Sequence, residues 1–555
     1  MFSVLEIINE LPKNPSEALI QLNSIFGNKQ IQSLFPKEKS SSDPVYSIEI
    51  TSFNKAKSYK KPSFPSSVYI SHMKSVGKSR QRKPLPNYHP LFKLWDTHKF
   101  DKEWMRITRE DIMSTIENKD TSDNYGASFF ILHRLIDLEP KLLDFMVDCY
   151  NGLLDHEICP EWSNCGLIPS HKGGDISDPN NFRPLTVLPL VVRIWDSVIS
   201  KKLSYLLKKY GVIDTLVQRG ILSGVGGLSQ NLLDVNRAMC SMCDDEICFF
   251  IDITNAYGSV NYGLLCHILR EYHFSPALTE YIETYYMNAH ASYDNQIFRW
   301  DNGLYQGSGL SNVLFLIYMD YVLKNAMIDL KMMRILDFGF DLQDKTRAFV
   351  DDLVMFLPVK SYDTIIQFIQ MLFSRFYGLE INQSKTYFFM NNAKVSELAI
   401  GDIQFKRVHI DFLYLGIGLM CFCEEFLTNY YKKIQLYLEE IETFTIDSKY
   451  KLYLYYRRVF QRINRTLECY YSIFGRTAGL DEIMKLIGYF IYRWTDAFPS
   501  TYLAKHIEYI GNKATNKELS ESEMVDFRIL FGMENPMDDD FRNEFKRINN
   551  DPYFR

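Results

Sequence analysis

RAFVDDLVMFLP, residues 347–358, sets two adjacent carboxylates, Asp351 and Asp352, inside an otherwise apolar run. Phe349, Val350, Leu353, Val354, Met355 and Phe356 flank them, and these are types that favour strands. Like charges side by side repel, and taking them out of water is costly unless a partner compensates. Two local readings compete: a solvated hairpin turn, because Asp tolerates turn conformations, and a helix cap. Either accounts for the tetrapeptide alone. A chemical reading needs a third carboxylate and a frame that handles phosphate.

Upstream, ICFFIDITNAYGSV (247–260) supplies the third acid. Ile247 to Ile251 reads as a short buried strand with Asp252 at its exit, and VNYGLLCHILREY (260–272) has apolar residues at helical spacing. By itself Asp252 reads equally well as a helix cap. Beside a strand–Asp-Asp–strand hairpin it suggests three carboxylates converging at strand tips, unstable without cations. Hard oxygen donors suit Mg²⁺, and two such ions about 3.5–4 Å apart clamp the attacking and leaving oxygens of a phosphoryl transfer. Between the acidic segments, FRWDNGLYQGSGLSNVLFLIYMDYVL (298–323) predicts a strand, a small-residue loop at Gln306-Gly307-Ser308-Gly309 and a long apolar helix. Such a loop lets backbone approach a nucleotide or template closely; a plain glycine turn is the competing reading.

With 555 residues, 46% hydrophobic and 15% aromatic, the chain can fill large cores, which excludes a disordered scaffold. Its net charge of −6 argues against affinity for nucleic acid by bulk charge and leaves local basic patches to supply it. The ten cysteines are scattered, which suits a reducing compartment. Cys240 and Cys243 form a CxxC with Cys248 nearby, but no second ligand pair follows, so zinc is disfavoured. MFSVLEIINELPK lacks the layout of a signal peptide, and no run reaches the length of a membrane span. The expectation is a soluble, intracellular protein, nuclear or cytoplasmic, neither secreted nor bound to membrane.

Residues 1–90 read as a helical start followed by a poorly ordered basic arm. Lys55, Lys57, Lys60, Lys61, Lys74, Lys78, Arg80, Arg82 and Lys83 lie there with Tyr59, Phe64 and Tyr69 interleaved, equally a solvated tail or a phosphate-backbone contact. Helical patterns dominate 91–162, strands and helices alternate to about 420, and helices return afterwards. In SKYKLYLYYRRVFQRINRTLECYYSIF (448–474), Arg457, Arg458 and Arg462 share a segment with Lys449, Lys451, Arg465 and several tyrosines. That suits a helix tracking an RNA–DNA hybrid by backbone charge, or an amphipathic packing helix with a solvated basic face.

Taken in order, these segments resemble the reverse transcriptase domain of non-LTR (LINE-type) retrotransposons. The resemblance rests on LIPSHKGGDISDPNNFRPLTVLPLVVRIWDSVISKKL (167–203), QRGILSGVGGLSQNLLD (218–234), the Asp252–Tyr257 stretch, YQGSGLS (305–311), FVDD (349–352), YGLEINQSKT (377–386) and FLYLGIGL (412–419). It implies an α+β right-hand polymerase fold: N-terminal helices and fingers over 91–235, a palm with a small antiparallel sheet flanked by helices over 236–420, and a helical thumb over 421–515. Residues 516–555 form a tail in which no function is legible. The implied activity is RNA-directed DNA synthesis from dNTPs on an RNA template and a DNA or RNA primer, with target DNA a further candidate partner. Two Mg²⁺ ions, for which Mn²⁺ can substitute, are the implied cofactors.

Residue by residue, the resemblance makes Asp252, Asp351 and Asp352 the metal carboxylates and Lys385 the group that neutralises or protonates the leaving pyrophosphate. Tyr257 matches the aromatic that blocks a ribose 2′-hydroxyl. Arg183 and Lys172 meet the triphosphate, Gln306 and Gly307 position template and nucleotide, and Gly416 lies in the primer-gripping hairpin. The chain departs from the family pattern at Ser170, His171, Gly258, Tyr305 and Asn312. An endonuclease and a zinc knuckle, often attached in the family, are not legible, so target cutting is expected from elsewhere. Two other functions stay in view: a domesticated, catalytically silent nucleic-acid-binding protein, and an RNA-synthesising polymerase. The latter usually places a second Asp where Tyr257 stands.

Overall fold

The computed structural model describes residues 8, 10–29, 31, 62–78, 102–117, 123, 126–220, 222, 227–335, 340–391, 396–409, 412–443, 451, 455 and 461–495. It is a mixed α+β structure. By contacts it divides into two units, one made of 1–37, 59–227 and 244–407, the other of 38–58, 228–243 and 408–555.

The first unit opens with α1 (Pro15–Phe26), α2 (Ser66–Lys78), α3 (Arg109–Ile116), α4 (Phe129–Leu138) and α5 (Lys141–Gly152). Three of them start at side-chain caps: the Asn14 side chain accepts from the Ser16 and Glu17 N–H groups ahead of Pro15, Thr108 and Asp111 form a reciprocal capping box, and the Ser128 hydroxyl accepts from the Ile131 N–H. The expectation of a poorly ordered arm is corrected over 62–78. There α2 buries Tyr69 against Phe64, with ring centroids 5.7 Å apart, and against Tyr293 at 5.3 Å. Of the interleaved aromatics, Phe64 and Tyr69 are packing groups, and Tyr59 lies outside the described residues. Lys55, Lys57, Lys60, Lys61, Arg80, Arg82 and Lys83 lie outside the described residues.

Two sheets follow. Strands β1 (Asn164–His171) and β2 (Phe182–Val187) pair antiparallel, and α6 (Leu190–Lys209) follows and packs against α1 and α3. Next come β3 (Glu246–Ile251), α7 (Tyr262–Glu271), α8 (Pro276–Met287), β4 (His290–Tyr293) and β5 (Gln296–Arg299). The four-stranded sheet has the order β2-β1-β4-β5, with β1 and β4 parallel. Along β2 buried and exposed residues alternate, so Phe182 and Pro184 face the core and Arg183 faces out.

The chain continues through α9 (Gly309–Met332), the hairpin β6 (Thr346–Phe349) and β7 (Asp352–Pro358), α10 (Tyr362–Leu372), and β8 (Tyr387–Phe389), β9 (Glu397–Ile400) and β10 (Ile403–Arg407). The six-stranded sheet runs β6-β7-β3-β8-β10-β9, antiparallel except for β8 with β10. Its central strand β3 is buried at every position from Ile247 to Ile251, which is why it reads as an unbroken apolar run. For the same reason α9 is apolar all round, and its Asp320 is buried but accepts from the Tyr272 hydroxyl at 2.8 Å and pairs with Lys324 at 2.6 Å.

In the second unit the helix Gly227–Cys240 holds the hairpin of Leu413–Tyr414 and Ile417–Gly418. Asn231 donates to the Tyr414 hydroxyl at 2.7 Å, and Asn236 accepts from the Met420 N–H at 2.7 Å. The helices Cys423–Thr443, Gln461–Phe474 and Ala478–Thr495 complete it. Among the described residues no helix is long and apolar enough to cross a membrane.

Candidate active site

The acids come together through strand register. The pairing of β3 with β7 sets Ile251 opposite Leu353, so Asp252, one residue on, leaves the sheet beside Asp352, the first residue of β7. Asp351 occupies the turn between β6 and β7. Burial raises the pKa of all three carboxyls. The neighbouring Asp252 raises Asp351 further, and Asp351 and Asp252 together with burial push Asp352 up to about 7. Asp252 thus acts on both members of the pair, and Asp351 on Asp352, which places the three acids in one neighbourhood.

Cations from separate elements face them. The Lys385 ammonium lies 3.9 Å from Asp252 Oδ2. Asn382 donates its side-chain amide to Asp252 Oδ2 at 2.9 Å and its backbone N–H to the Asp252 carbonyl at 2.8 Å. Lys172, at the end of β1, has a lowered pKa because it is partly buried and because Arg183 and Lys385 are near. Arg183 also acts electrostatically on Asp252 and Asp351. The sequence-predicted residues Asp252, Asp351, Asp352, Lys385, Lys172 and Arg183 therefore share one electrostatic neighbourhood.

The donor set fits a hard divalent cation: oxygen only, crowded and mutually repelling. As the side chains stand, Asp252 is turned to Asn382 and Lys385, and among the described residues no three carboxylate, imidazole or thiol groups are gathered closely enough to ligate an ion. Holding one would require the carboxylates to rotate toward each other. Cys240 and Cys243 are exposed and take no part in such a group.

Tyr257 lies on the single helical turn Ala256–Ser259. Its ring stacks on Phe315 of α9, with centroids 4.7 Å apart and planes at 14°, and its hydroxyl donates to Asn312 Oδ1 at 2.8 Å. Burial and then the Asp351 charge raise the pKa of that hydroxyl, so it stays protonated and able to donate. The Gln306 carbonyl accepts from the Thr186 N–H at 2.7 Å and ties the loop to β2. Gly307 has φ +143°, and a Cβ there would lie 2.3 Å from the Thr186 carbonyl oxygen, so only glycine fits. Tyr305 is buried and donates to the Ser163 carbonyl at 2.7 Å, a core role away from the acids' surface.

Residues 170–419 match the family model described as "Reverse transcriptase (RNA-dependent DNA polymerase)". A reverse transcriptase domain is present in the chain. All of the acids and the cations facing them lie within that match. Among solved structures the chain is similar to a telomerase from Candida albicans in complex with a TWJ fragment of telomeric RNA, at 12% identity over 71% of either chain with a TM-score of 0.37. It is also similar to the RNA-dependent RNA polymerase of a human picobirnavirus, at 12% identity over 93% of this chain and 87% of that one with a TM-score of 0.42. Likenesses at that level carry no argument about chemistry.

The reverse transcriptase domain also contains polar groups that sequence reasoning did not single out. Asn382, inside the quoted YGLEINQSKT motif, holds Asp252 from two sides. Asn312 was legible only as a departure from the family pattern, yet it holds Tyr257. Gln218, in the quoted QRG segment, contacts the acidic turn. In the second unit Gly416 is exposed in its hairpin turn with φ +81°. Arg462 lies on the helix Gln461–Phe474, while Arg457, Arg458, Lys449 and residues 516–555 lie outside the described residues.

Proposed function

We propose that the chain is an RNA-directed DNA polymerase of the non-LTR retrotransposon kind, joining a dNTP to a primer 3′-hydroxyl on an RNA template. The observation that carries this reading is the meeting of Asp252 with the Asp351–Asp352 turn, faced by Lys172, Arg183 and Lys385, with Tyr257 alongside. In the reaction the 3′-oxygen bonds to the α-phosphorus, and the bond to the departing pyrophosphate breaks. Asp252, Asp351 and Asp352 would hold two Mg²⁺ ions, which supply charge stabilisation to the attacking and leaving oxygens when bound. Arg183 and Lys172 bind the triphosphate, with the guanidinium suited to two phosphate oxygens at once. Lys385 neutralises or protonates the leaving pyrophosphate. Tyr257 excludes a 2′-hydroxyl, and its lack of a carboxylate disfavours an RNA-synthesising enzyme. Gln306 and Gly307 position template and nucleotide; Gly416, Arg457, Arg458 and Arg462 contact template and primer.

Primer extension on poly(rA)/oligo(dT) with dTTP and Mg²⁺ or Mn²⁺ tests the reading, with UTP as the competing nucleotide. Incorporation of dTMP in preference to UMP is expected. No incorporation with either metal leaves the silent nucleic-acid binder standing, and preference for UTP leaves the RNA polymerase.

A further inference from the structure

Val350 is the first central residue of the two-residue turn that carries Asp351, and its φ is +63°. A positive φ there, with the next residue on the ordinary side, is the type II′ pattern, a place usually held by glycine. For a β-branched residue it is a genuine outlier, which persists only where the surroundings over-determine it.

Those surroundings centre on one side chain. Gln218 is fully buried. Its Nε2 donates to the Val350 carbonyl at 3.0 Å, and its Oε1 accepts from the Val350 N–H at 2.9 Å and the Gly220 N–H at 3.1 Å. The two ends of one carboxamide thus engage both backbone groups of the strained residue. The backbone beside it is locked too: the Arg219 N–H donates to the Ala348 carbonyl at 3.0 Å, and the Ala348 N–H donates to the Val217 carbonyl at 2.7 Å. Gly220 approaches so closely that a Cβ there would lie 2.6 Å from Val350 Cγ2.

We propose that Gln218 is a positioning residue for the acidic turn: by holding Val350 in the left-handed region it fixes the direction in which Asp351 and Asp352 present their carboxylates to a divalent cation. This rests on the polymerase reading for the cation's purpose, and the clamp itself is testable without it. A glutamate could not donate to the Val350 carbonyl, and an alanine would release both ends.

Three proteins are compared with wild type: Gln218→Ala, Val350→Gly, and the double variant. Mn²⁺ binding by electron paramagnetic resonance on the protein alone, single-nucleotide extension and thermal unfolding are measured on each. Gln218→Ala is expected to weaken Mn²⁺ binding and to lower kcat by about tenfold to 10²-fold, the scale of a misplaced reacting group, with KM for dNTP little changed. In the Val350→Gly background the same substitution is expected to cost far less by every measure, because glycine holds a positive φ unaided. Additive losses, or unchanged Mn²⁺ binding in Gln218→Ala, would reduce Gln218 to a packing residue and overturn the proposal. The coupling in thermal unfolding is read even if wild type polymerises nothing, so failure of the polymerase reading and failure of the clamp are distinguishable.

Discussion

Asp196 offers a test that does not touch the acidic turn. It lies fully buried on α6 and accepts from the hydroxyl of Ser308, the residue that caps α9 two positions after Gln306. Its second oxygen, Oδ1, has no hydrogen-bond partner among the described residues. Burial therefore pushes its pKa up from 3.8 to about 7 against the lowering effect of Ser308. An acid with a raised folded value binds its proton more tightly in the native state. Its contribution is fully present below the unfolded pKa and is lost as pH rises toward the folded one. A shift of that size corresponds to about 4 kcal/mol in total, of which about 1 kcal/mol falls between about pH 6 and pH 8. For the first unit, which spans 1–37, 59–227 and 244–407, that is a change in Tm of roughly 1–2 °C. Asp196→Asn keeps the size and an acceptor for Ser308 while removing the proton, so its Tm should fall less than wild type across this window. Circular dichroism melts at matched ionic strength measure the difference in slope. Equal slopes would mean that Asp196 titrates in the ordinary carboxylate range, and the account of its burial would fail.

Asp252→Asn and Asp351→Asn should each lower nucleotide incorporation by about 10³-fold while binding of an RNA–DNA hybrid survives; wild-type rates in either would refute the metal assignment. Replacing Tyr257 by Ala should relax discrimination against ribonucleotides, and Asn312→Ala should move the same ratio part of the way, measured as kcat/KM for dTTP over UTP. Selectivity unchanged in Tyr257→Ala removes its gate role. Since Asp352 has its pKa pushed up to about 7 and must ionise to hold a cation, apparent Mg²⁺ affinity should rise about tenfold from about pH 6 to pH 8. Titrating an EDTA-treated protein with Mg²⁺ at each pH checks this, and a flat profile would contradict it.

What could be read from the chain and what could not divide along a physical line. The strand at Ile247–Ile251, the hairpin around Asp351–Asp352 and the helix after Ser308 each follow from a local pattern: an unbroken apolar run, two strand-favouring runs about a short polar turn, an apolar stretch too long for a strand. The packing of Tyr69 is not legible, because a lysine-rich segment with aromatics has the same composition whether it is a solvated tail, a phosphate-backbone contact or a helix packed through Phe64 and Tyr293. Gln218 and Asn312 stand in quoted stretches, but nothing local tells what they hold. Their partners Val350 and Tyr257 stand 132 and 55 positions away, and a hydrogen bond across such a gap imposes no periodicity on either segment. The pairing of β1 with β4, which brings 290–292 to 164–166, is hidden for the same reason.

The same geometry explains why the acids invite an external ligand. Folding brings Asp252 to the turn through the β3–β7 register, and Gln218 keeps the turn from relaxing. Neither contact neutralises charge. The closest cation, Lys385, stands at 3.9 Å from Asp252 and is largely exposed, so solvent screens most of its attraction. Lys172 and Arg183 repel each other and Lys385 as well as attracting the acids; the pKa of Lys172 is lowered first by burial and then by Arg183 and Lys385. Acids and bases are thus held on separate elements, each group short of its own compensation. On the proposed polymerase reading, a divalent cation bound to a polyphosphate would satisfy both at once, the metal relieving the carboxylates and the phosphate oxygens relieving the lysines and Arg183. Either ligand alone would leave one cluster uncompensated, so metal and triphosphate should bind with positive coupling.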